Sequence, residues 1–235
     1  KKNDALVQLL GQLKPEQALV FCNTKIDCQN VEQHLTKAGF DVCALHGDLE
    51  QRDRDEAMVR FQNGSVRVLV ATDVAARGLD VTDLPLVVSY ELAHQADVHV
   101  HRVGRTGRAG KDGRALAFVA SSEMARVAAI EEQMTLSAQW QRLDLTTIKL
   151  QPLQSLWKTL VIDAGRKDKL RPGDILGALT ANKQIEGKDV GKIALFDTRS
   201  YVALHKTVAD KALQLLRKDK IKGRTFRIRL LGAPR

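Results

Sequence analysis

The feature that most constrains this chain is a change of hydrophobic period that recurs along its first half. Ala18 to Phe21 is a short unbroken apolar run, whereas Ile26, Val31, Leu35 and Ala38 follow helical spacing and stop at Gly39. The same pair recurs as the run Val42 to Leu45 followed by a helical segment from Arg52 to Phe61, and then the run Val66 to Ala71. Apolar runs without alternation are strands covered on both faces, so the pattern predicts a mostly parallel sheet between layers of helix. Further strands are expected at Leu86 to Ser89 and Ala115 to Ala120, with Ser121 or Ser122 capping a helix that reaches Met134. In such sheets ligands sit beyond the carboxyl ends of the strands, so the segments after Phe21, Leu45, Ala71 and Ser89 are where chemistry is expected.

A second series begins after Pro152: strand Thr159 to Ile162, helix Pro172 to Leu179, strand Ile193 to Phe196, strand Tyr201 to Leu204, helix Val208 to Leu216 and strand Thr225 to Leu230. That β-α-β-β-α-β order is the split βαβ arrangement of many RNA-binding domains. The expected fold is therefore an α/β parallel-sheet domain over residues 1–150 followed by a small α+β domain over 151–235. Charge divides at the same place. Residues 151–235 hold 19 Lys and Arg against 8 Asp and Glu, while residues 1–150 hold 18 against 20, so the net +9 belongs to the tail. A neutral machine carrying a module for polyanions fits this asymmetry, and a basic domain that is merely soluble is the alternative.

No apolar run approaches the roughly 20 residues that cross a bilayer, and Lys1 to Asp4 lacks the apolar stretch of a secretory signal, so a cytoplasmic protein without a membrane partner is expected. Cys22, Cys28 and Cys43 form no Cys-x-x-Cys pair, and the six histidines complete no zinc set with them; reduced core thiols and no metal site are expected.

The densest chemical signal is His101-Arg102-Val103-Gly104-Arg105-Thr106-Gly107-Arg108-Ala109-Gly110. Arginine is always charged and offers a planar fork of donors, which suits a phosphoryl group in transfer. If the segment is helical, Arg105 and Arg108 share a face. The plain alternative is a basic loop in solvent or on RNA backbone. Val68-Leu69-Val70-Ala71-Thr72-Asp73-Val74-Ala75-Ala76-Arg77-Gly78-Leu79-Asp80 runs from a buried strand into a polar turn, where Thr72 and Arg77 suit a phosphate and Asp80 suits a ribose hydroxyl. Leu45-His46-Gly47-Asp48, with Gln51 and Arg54 on the next helix, places amides and an arginine near a helix start, which favours anions. Asn23-Thr24-Lys25 reads equally well as an ordinary helix cap.

In order, FCNTK, ALHGDLEQRDR, VLVATDVAARGLD and HRVGRTGRAG resemble the consecutive motifs of the second RecA-like domain of DEAD-box RNA helicases. The resemblance implies a RecA-like fold over the first 150 residues. It implies that Arg105 and Arg108 act as catalytic arginine fingers on ATP and that Asp80 contacts the nucleotide. It further implies that His101 and Arg102 link two RecA-like domains, and that Gly47, Arg54, Thr72, Arg77 and Gly78 hold the RNA backbone. The family keeps its Gly-x-x-x-x-Gly-Lys phosphate loop and its Asp-Glu-Ala-Asp magnesium site in a first RecA-like domain, and neither sequence occurs here. ATP and Mg²⁺ are thus the implied cofactors, bound mainly by that other domain, and this chain alone is not expected to hydrolyse ATP.

The tail resembles the RNA-recognition-motif domain of a bacterial branch of the same family. This implies tethering to a hairpin of 23S ribosomal RNA and a role in assembling large-subunit precursors. Its first strand offers Leu160, Val161 and Ile162 where such motifs present stacking aromatics, leaving Tyr201 as the candidate stacker, with Phe196 and Trp157 divided between core and binding roles. Lys158, Lys192 and Arg199 are the candidate phosphate contacts among many surface cations. A monomer is expected. Two rivals remain at this point: a non-catalytic RNA-binding protein, for which Arg105 would be dispensable, and a DNA translocase, which would ignore the 2′-hydroxyl.

Overall fold

The computed structural model describes residues 2–78, 81–107, 113–142 and 151–232. They form two compact units, one of residues 1–57 and 67–154 and the other of 58–66 and 155–235. This division differs from a cut after residue 150 at two places. Residues 151–154 stay with the first unit because Leu153 is buried in its core and its carbonyl accepts from Asp41 N at 3.0 Å. Residues 58–66 group with the second unit because Asn63 Nδ2 donates to Thr159 Oγ1 (3.0 Å) and Thr159 Oγ1 donates to Ser65 Oγ (2.9 Å).

In the first unit, β1 (Ala18–Cys22), β2 (Val42–Leu45), β3 (Val68–Thr72), β4 (Leu86–Ser89) and β5 (Arg114–Ala117) build a parallel sheet in the order β2-β3-β1-β4-β5. Every residue of the first four strands is buried, the signature of a sheet covered on both faces. Ala18, Val20, Val42, Val68, Val70, Leu86 and Val88 pack with Leu6 and Leu10 of α1 (Lys2–Leu13) and with Cys28, Val31 and Leu35 of α2 (Lys25–Lys37). Alternate strand residues turn to the other face. There Cys43 Sγ reaches the Ala57 carbonyl of α3 (Gln51–Gln62), and Phe21 lies under Arg102 of α5 (Ala96–Val103); α6 (Met124–Met134) follows β5. The three cysteines are buried and form no disulfide.

Several expected boundaries move by one to three residues, and Ile26 departs from the expected apolar face. It is exposed, and Cys28 takes the buried position, because α2 begins at Lys25 and sets its phase from there. The short α4 (Asp73–Ala76) and α5 carry too few apolar residues at helical spacing to be read from sequence, and α1, whose Leu6, Leu9, Leu10 and Leu13 do recur at helical spacing, is not among the expected elements.

The second unit runs β6 (Trp157–Ile162), α7 (Pro172–Thr180), β7 (Val190–Leu195), β8 (Ser200–His205), α8 (Ala209–Lys218) and β9 (Ile228–Leu230). Its antiparallel sheet has the order β7-β8-β6-β9. Leu160, Ile162, Val202 and Leu204 on one face bury Ile175 and Leu179 of α7 and Ala212, Leu215 and Leu216 of α8. No described helix is long and apolar enough to cross a membrane.

Candidate nucleotide and RNA interface

The carboxyl ends of β1, β3 and β4 open into a cleft of about 250 Å³ whose lining includes Phe21, Arg77, Gly78, His101, Arg102 and Arg105. Two segments build it. After β3 the chain makes α4 and returns through Arg77, whose N–H donates to Asp73 O at 3.1 Å, to Gly78, whose φ of +74° suits the residue without a Cβ. After β4 the chain enters α5, which ends at Val103 with Gly104 as its cap. Arg105 therefore lies beyond the helix. Its N–H donates to Arg102 O (3.2 Å), its carbonyl accepts from Leu84 N (3.1 Å), and the Thr106 hydroxyl donates to Leu84 O. Those bonds, not a helical phase shared with Arg108, fix the Arg105 backbone. The helical spacing argued from sequence does not hold for Arg105, because Gly104 closes α5 one residue before it. Arg108 and Asp80 lie outside the described residues.

Arg102, expected as an interdomain contact, is 1% exposed and directs four of its five N–H groups to partners inside the first unit. Nε and Nη2 donate to the two carboxylate oxygens of Asp73, both at 2.7 Å, and Nη2 also donates to Asn23 Oδ1 (2.7 Å). Nη1 donates to Glu91 O at 2.7 Å, and the guanidinium stands 5.3 Å over the Phe21 ring. Asn23 is held in turn, its N–H donating to Glu91 Oε2 and its Nδ2 to Leu92 O, both at 3.0 Å. Asp73 and Glu91 were not singled out by the motif reading, and Asn23 was named only within the segment Asn23-Thr24-Lys25. The available signal was an acid or amide placed immediately beyond a buried strand.

Among the described residues of the cleft lining the acid Asp73 is matched by Arg102, and Arg77 and Arg105 bring two further guanidinium groups to it, with the exposed His101 beside them. Such a cleft suits phosphate oxygens. His99, on the same helix, has a buried Nδ1 with no partner among the described residues; burial, and then the nearby Arg102 charge, push its pKa below the usual imidazole value.

The remaining RNA candidates of this unit stand outside the cleft lining. Gly47 is exposed after β2 with open space where a Cβ would be, and Arg54 on α3 reaches the Ala75 carbonyl of α4 at 3.5 Å. Thr72 is buried at the end of β3, and its hydroxyl makes no cap bond to α4. His46 is 4% exposed, its Nε2 lies 3.3 Å from Gln29 Nε2, and burial lowers its pKa. Thr24 caps α2, accepting from Asp27 N at 3.1 Å, which agrees with the plain reading of that segment.

Comparison with known proteins decides the family. Residues 1–110 match the helicase conserved C-terminal domain, and residues 159–230 match the DbpA RNA binding domain. The chain is 50% identical to ATP-dependent RNA helicase DbpA of Escherichia coli K12 over 96% of its own length and 49% of the relative's. It is 30% identical to the Bacillus subtilis protein of that name, covering 97% and 52%. Among solved structures, the E. coli DEAD-box protein SrmB aligns with a TM-score of 0.58 at 32% identity, over 64% of this chain and 89% of that one. The chain belongs to the DEAD-box family. It spans about half the length of the curated DbpA relatives it matches.

In this DEAD-box chain the tail's candidates do not gather at one place. Tyr201 is 2% exposed, packed with Val59 and Val161 and edge-on to Phe196 at 5.4 Å, so its expected role as a stacking platform is corrected: no ring face is open to a base. Lys158, near the start of β6, pairs with Asp210 of α8 at 3.8 Å. Arg199 pairs with Asp163 just past the end of β6 at 3.2 Å. Those two cations are thus about 17 Å apart along the strand direction. Lys192 is exposed on β7. No group of three or more His, Cys, Asp or Glu is placed to hold a metal among the described residues.

Proposed function

We propose that this chain is the part of an ATP-dependent RNA helicase that completes the nucleotide site and tethers the enzyme to its RNA. The observation that carries the reading is the cleft at the carboxyl ends of β1, β3 and β4, whose lining brings together Arg77, His101, Arg102 and Arg105. The described residues of the cleft fit the phosphates of ATP, supplying positive charge on a fixed backbone. Bound ATP supplies the transferable phosphoryl group, and its Mg²⁺ is assigned to ligands in the other RecA-like domain.

In this reading Arg105, with Arg108, donates to the charge that develops on the phosphoryl oxygens, and Asp80 contacts the nucleotide. An arginine of this kind contributes about 10³–10⁵ in rate. His101, exposed at the rim, faces the first RecA-like domain, which this chain does not include. Gly47, Arg54, Thr72, Arg77 and Gly78 hold the RNA backbone from the ends of β2 and β3. The relatives support this division of labour: yeast Dbp5, 33% identical over 56% of this chain with a TM-score of 0.52, has been solved with RNA and ADP-beryllium fluoride. Residues 1–150 form the catalytic domain of the proposal and 151–235 its targeting domain. The targeting domain, matched to the DbpA RNA binding domain, is proposed to grip a hairpin of 23S ribosomal RNA in large-subunit precursors through Lys158, Lys192, Arg199 and their neighbours. The protein works in the cytoplasm as a monomer.

The test is RNA-stimulated phosphate release by the polypeptide extended to the length of its curated relatives, with and without Arg105→Ala. A fall of about 10³-fold or more is expected, with RNA affinity in the absence of nucleotide nearly retained. Unchanged turnover would leave a non-catalytic RNA-binding protein as the better reading. For the tail, a 23S hairpin and a scrambled hairpin are compared across a salt series; equal binding to both would remove the ribosomal assignment.

A further inference from the structure

Arg102 and Asp73 sit between the two segments that the proposed function assigns to different ligands. Asp73 opens α4, and its carbonyl accepts the N–H of Arg77 at 3.1 Å. Arg102 lies in the last turn of α5, and its carbonyl accepts the N–H of Arg105 at 3.2 Å. The side chains close the circuit with two parallel bonds of 2.7 Å. A continuous path therefore runs from the backbone of Arg77, on the RNA side, through one buried ion pair to the backbone of Arg105, on the phosphate side. Arg102 Nη2 adds Asn23 after β1, and Nη1 adds Glu91 after β4, so three strand ends share one guanidinium.

We propose that Arg102 is a positioning residue that couples RNA binding to nucleotide binding within this domain. The inference rests on the helicase reading above. The fork geometry is what gives the pair this capacity. Two parallel bonds fix the rotation of one segment about the other as well as their separation, whereas a single-point cation fixes separation alone. Ordering Thr72–Gly78 on RNA thereby reduces the freedom that His101–Arg105 has left to lose when phosphate binds. By linkage the effect runs equally in the other direction.

The experiment uses the polypeptide extended to the length of its curated relatives. Affinity for single-stranded RNA is measured with and without a non-hydrolysable ATP analogue, for the parent and for Arg102→Lys and Asp73→Asn. The ratio of the two affinities is the coupling factor, expected for the parent in the range of about 5–150. Arg102→Lys keeps the charge but loses the fork, and its factor is expected to fall to about 2 or below; Asp73→Asn, which keeps the shape and loses the charge, is expected to fall between the two. A parent factor of one overturns the helicase reading itself. A parent factor in the expected range that survives in both variants overturns the coupling role alone. So does a loss of both single affinities that leaves their ratio unchanged, since that is what a merely structural strut would produce. Should Arg102→Lys fail to fold, Asn23→Ser, which removes one acceptor of Nη2 and keeps the Asp73 fork, is read by the same criteria against a smaller expected fall.

Discussion

Replacing Arg102 by Met removes a guanidinium that is 1% exposed and leaves the Asp73 carboxylate, Asn23 Oδ1 and the Glu91 carbonyl without their shared donor. Breaking a buried ion pair from one side costs about 3–5 kcal/mol, because the charge left behind stays desolvated. Asp73 keeps 23% of its side chain exposed, so water restores part of its solvation and the expected loss sits near the lower end, about 3 kcal/mol. With a urea slope of about 2 kcal/mol/M, the unfolding midpoint drops by about 1.5 M. Hydrogen exchange of the β1 and β3 amides at graded urea reads this, since it reports the first unit separately from the second. The double variant Arg102→Met with Asp73→Leu removes both charges and is expected to recover most of the loss, as buried pairs replaced by apolar groups generally do. A loss below about 1 kcal/mol, the range of exposed pairs, would refute the reasoning. So would a double variant as unstable as the two single changes together.

Two further outcomes follow from local geometry and titration. A Cβ on Gly165 would stand 2.1 Å from Phe196 O and 2.7 Å from Arg199 N, where Arg166 N already donates to Phe196 O at 2.9 Å. Gly165→Ala is therefore expected to destabilise the second unit by about 2–3 kcal/mol and leave the first unit unchanged; full β6 and β8 amide protection in the variant would contradict the packing. His46 and His99 have pKa values lowered from 6.5 by burial, so the unfolded chain binds protons at a higher pH than the folded one. Their contribution is complete above about pH 6.5 and is lost as pH falls below it, by at most about 1.4 kcal/mol per pH unit for each ring. Urea unfolding of the first unit from pH 7.5 to 5 should steepen in the parent relative to His46→Gln with His99→Gln, and parallel profiles would count against buried neutral rings.

The distribution of charge in the cleft explains why one motif divides into residues of different fates. His101, Arg102 and Arg105 look alike in sequence as polar members of one basic string. In the structure His101 is exposed at the rim, Arg105 is held by loop bonds beyond the helix, and Arg102 is withdrawn into the core. The helix turn places Arg102 toward Phe21 and Asp73, and only a guanidinium long enough to meet three strand ends fills that position. The same division runs through the tail, where a cation count indicates a polyanion partner but pairing removes part of it. Lys158, Arg199, Lys167, Lys222 and Arg224 each lie within 4.0 Å of a carboxylate.

The parallel sheet and the β-α-β-β-α-β order of the tail were legible from local pattern. Unbroken apolar runs require two covered faces, and the switch from such a run to period 3.6 marks each βα unit. Motif spacing likewise located the strand ends at which ligands are expected. Short polar helices were not legible: α4 has four residues and α5 draws its stability from Arg102, a contact between residues 29 apart in sequence. Tyr201 was read as a possible platform because strand position and residue type suited one, but burial depends on what packs over it, here Val59 and Phe196. The sequence by itself thus determined the elements, their order and the strand ends that carry polar residues, since periodicity and turn chemistry act over a few neighbouring positions. Only the tertiary structure decided which of those polar residues face a ligand and which are spent on each other, because burial and ion pairing are set by neighbours that the chain brings together from far apart.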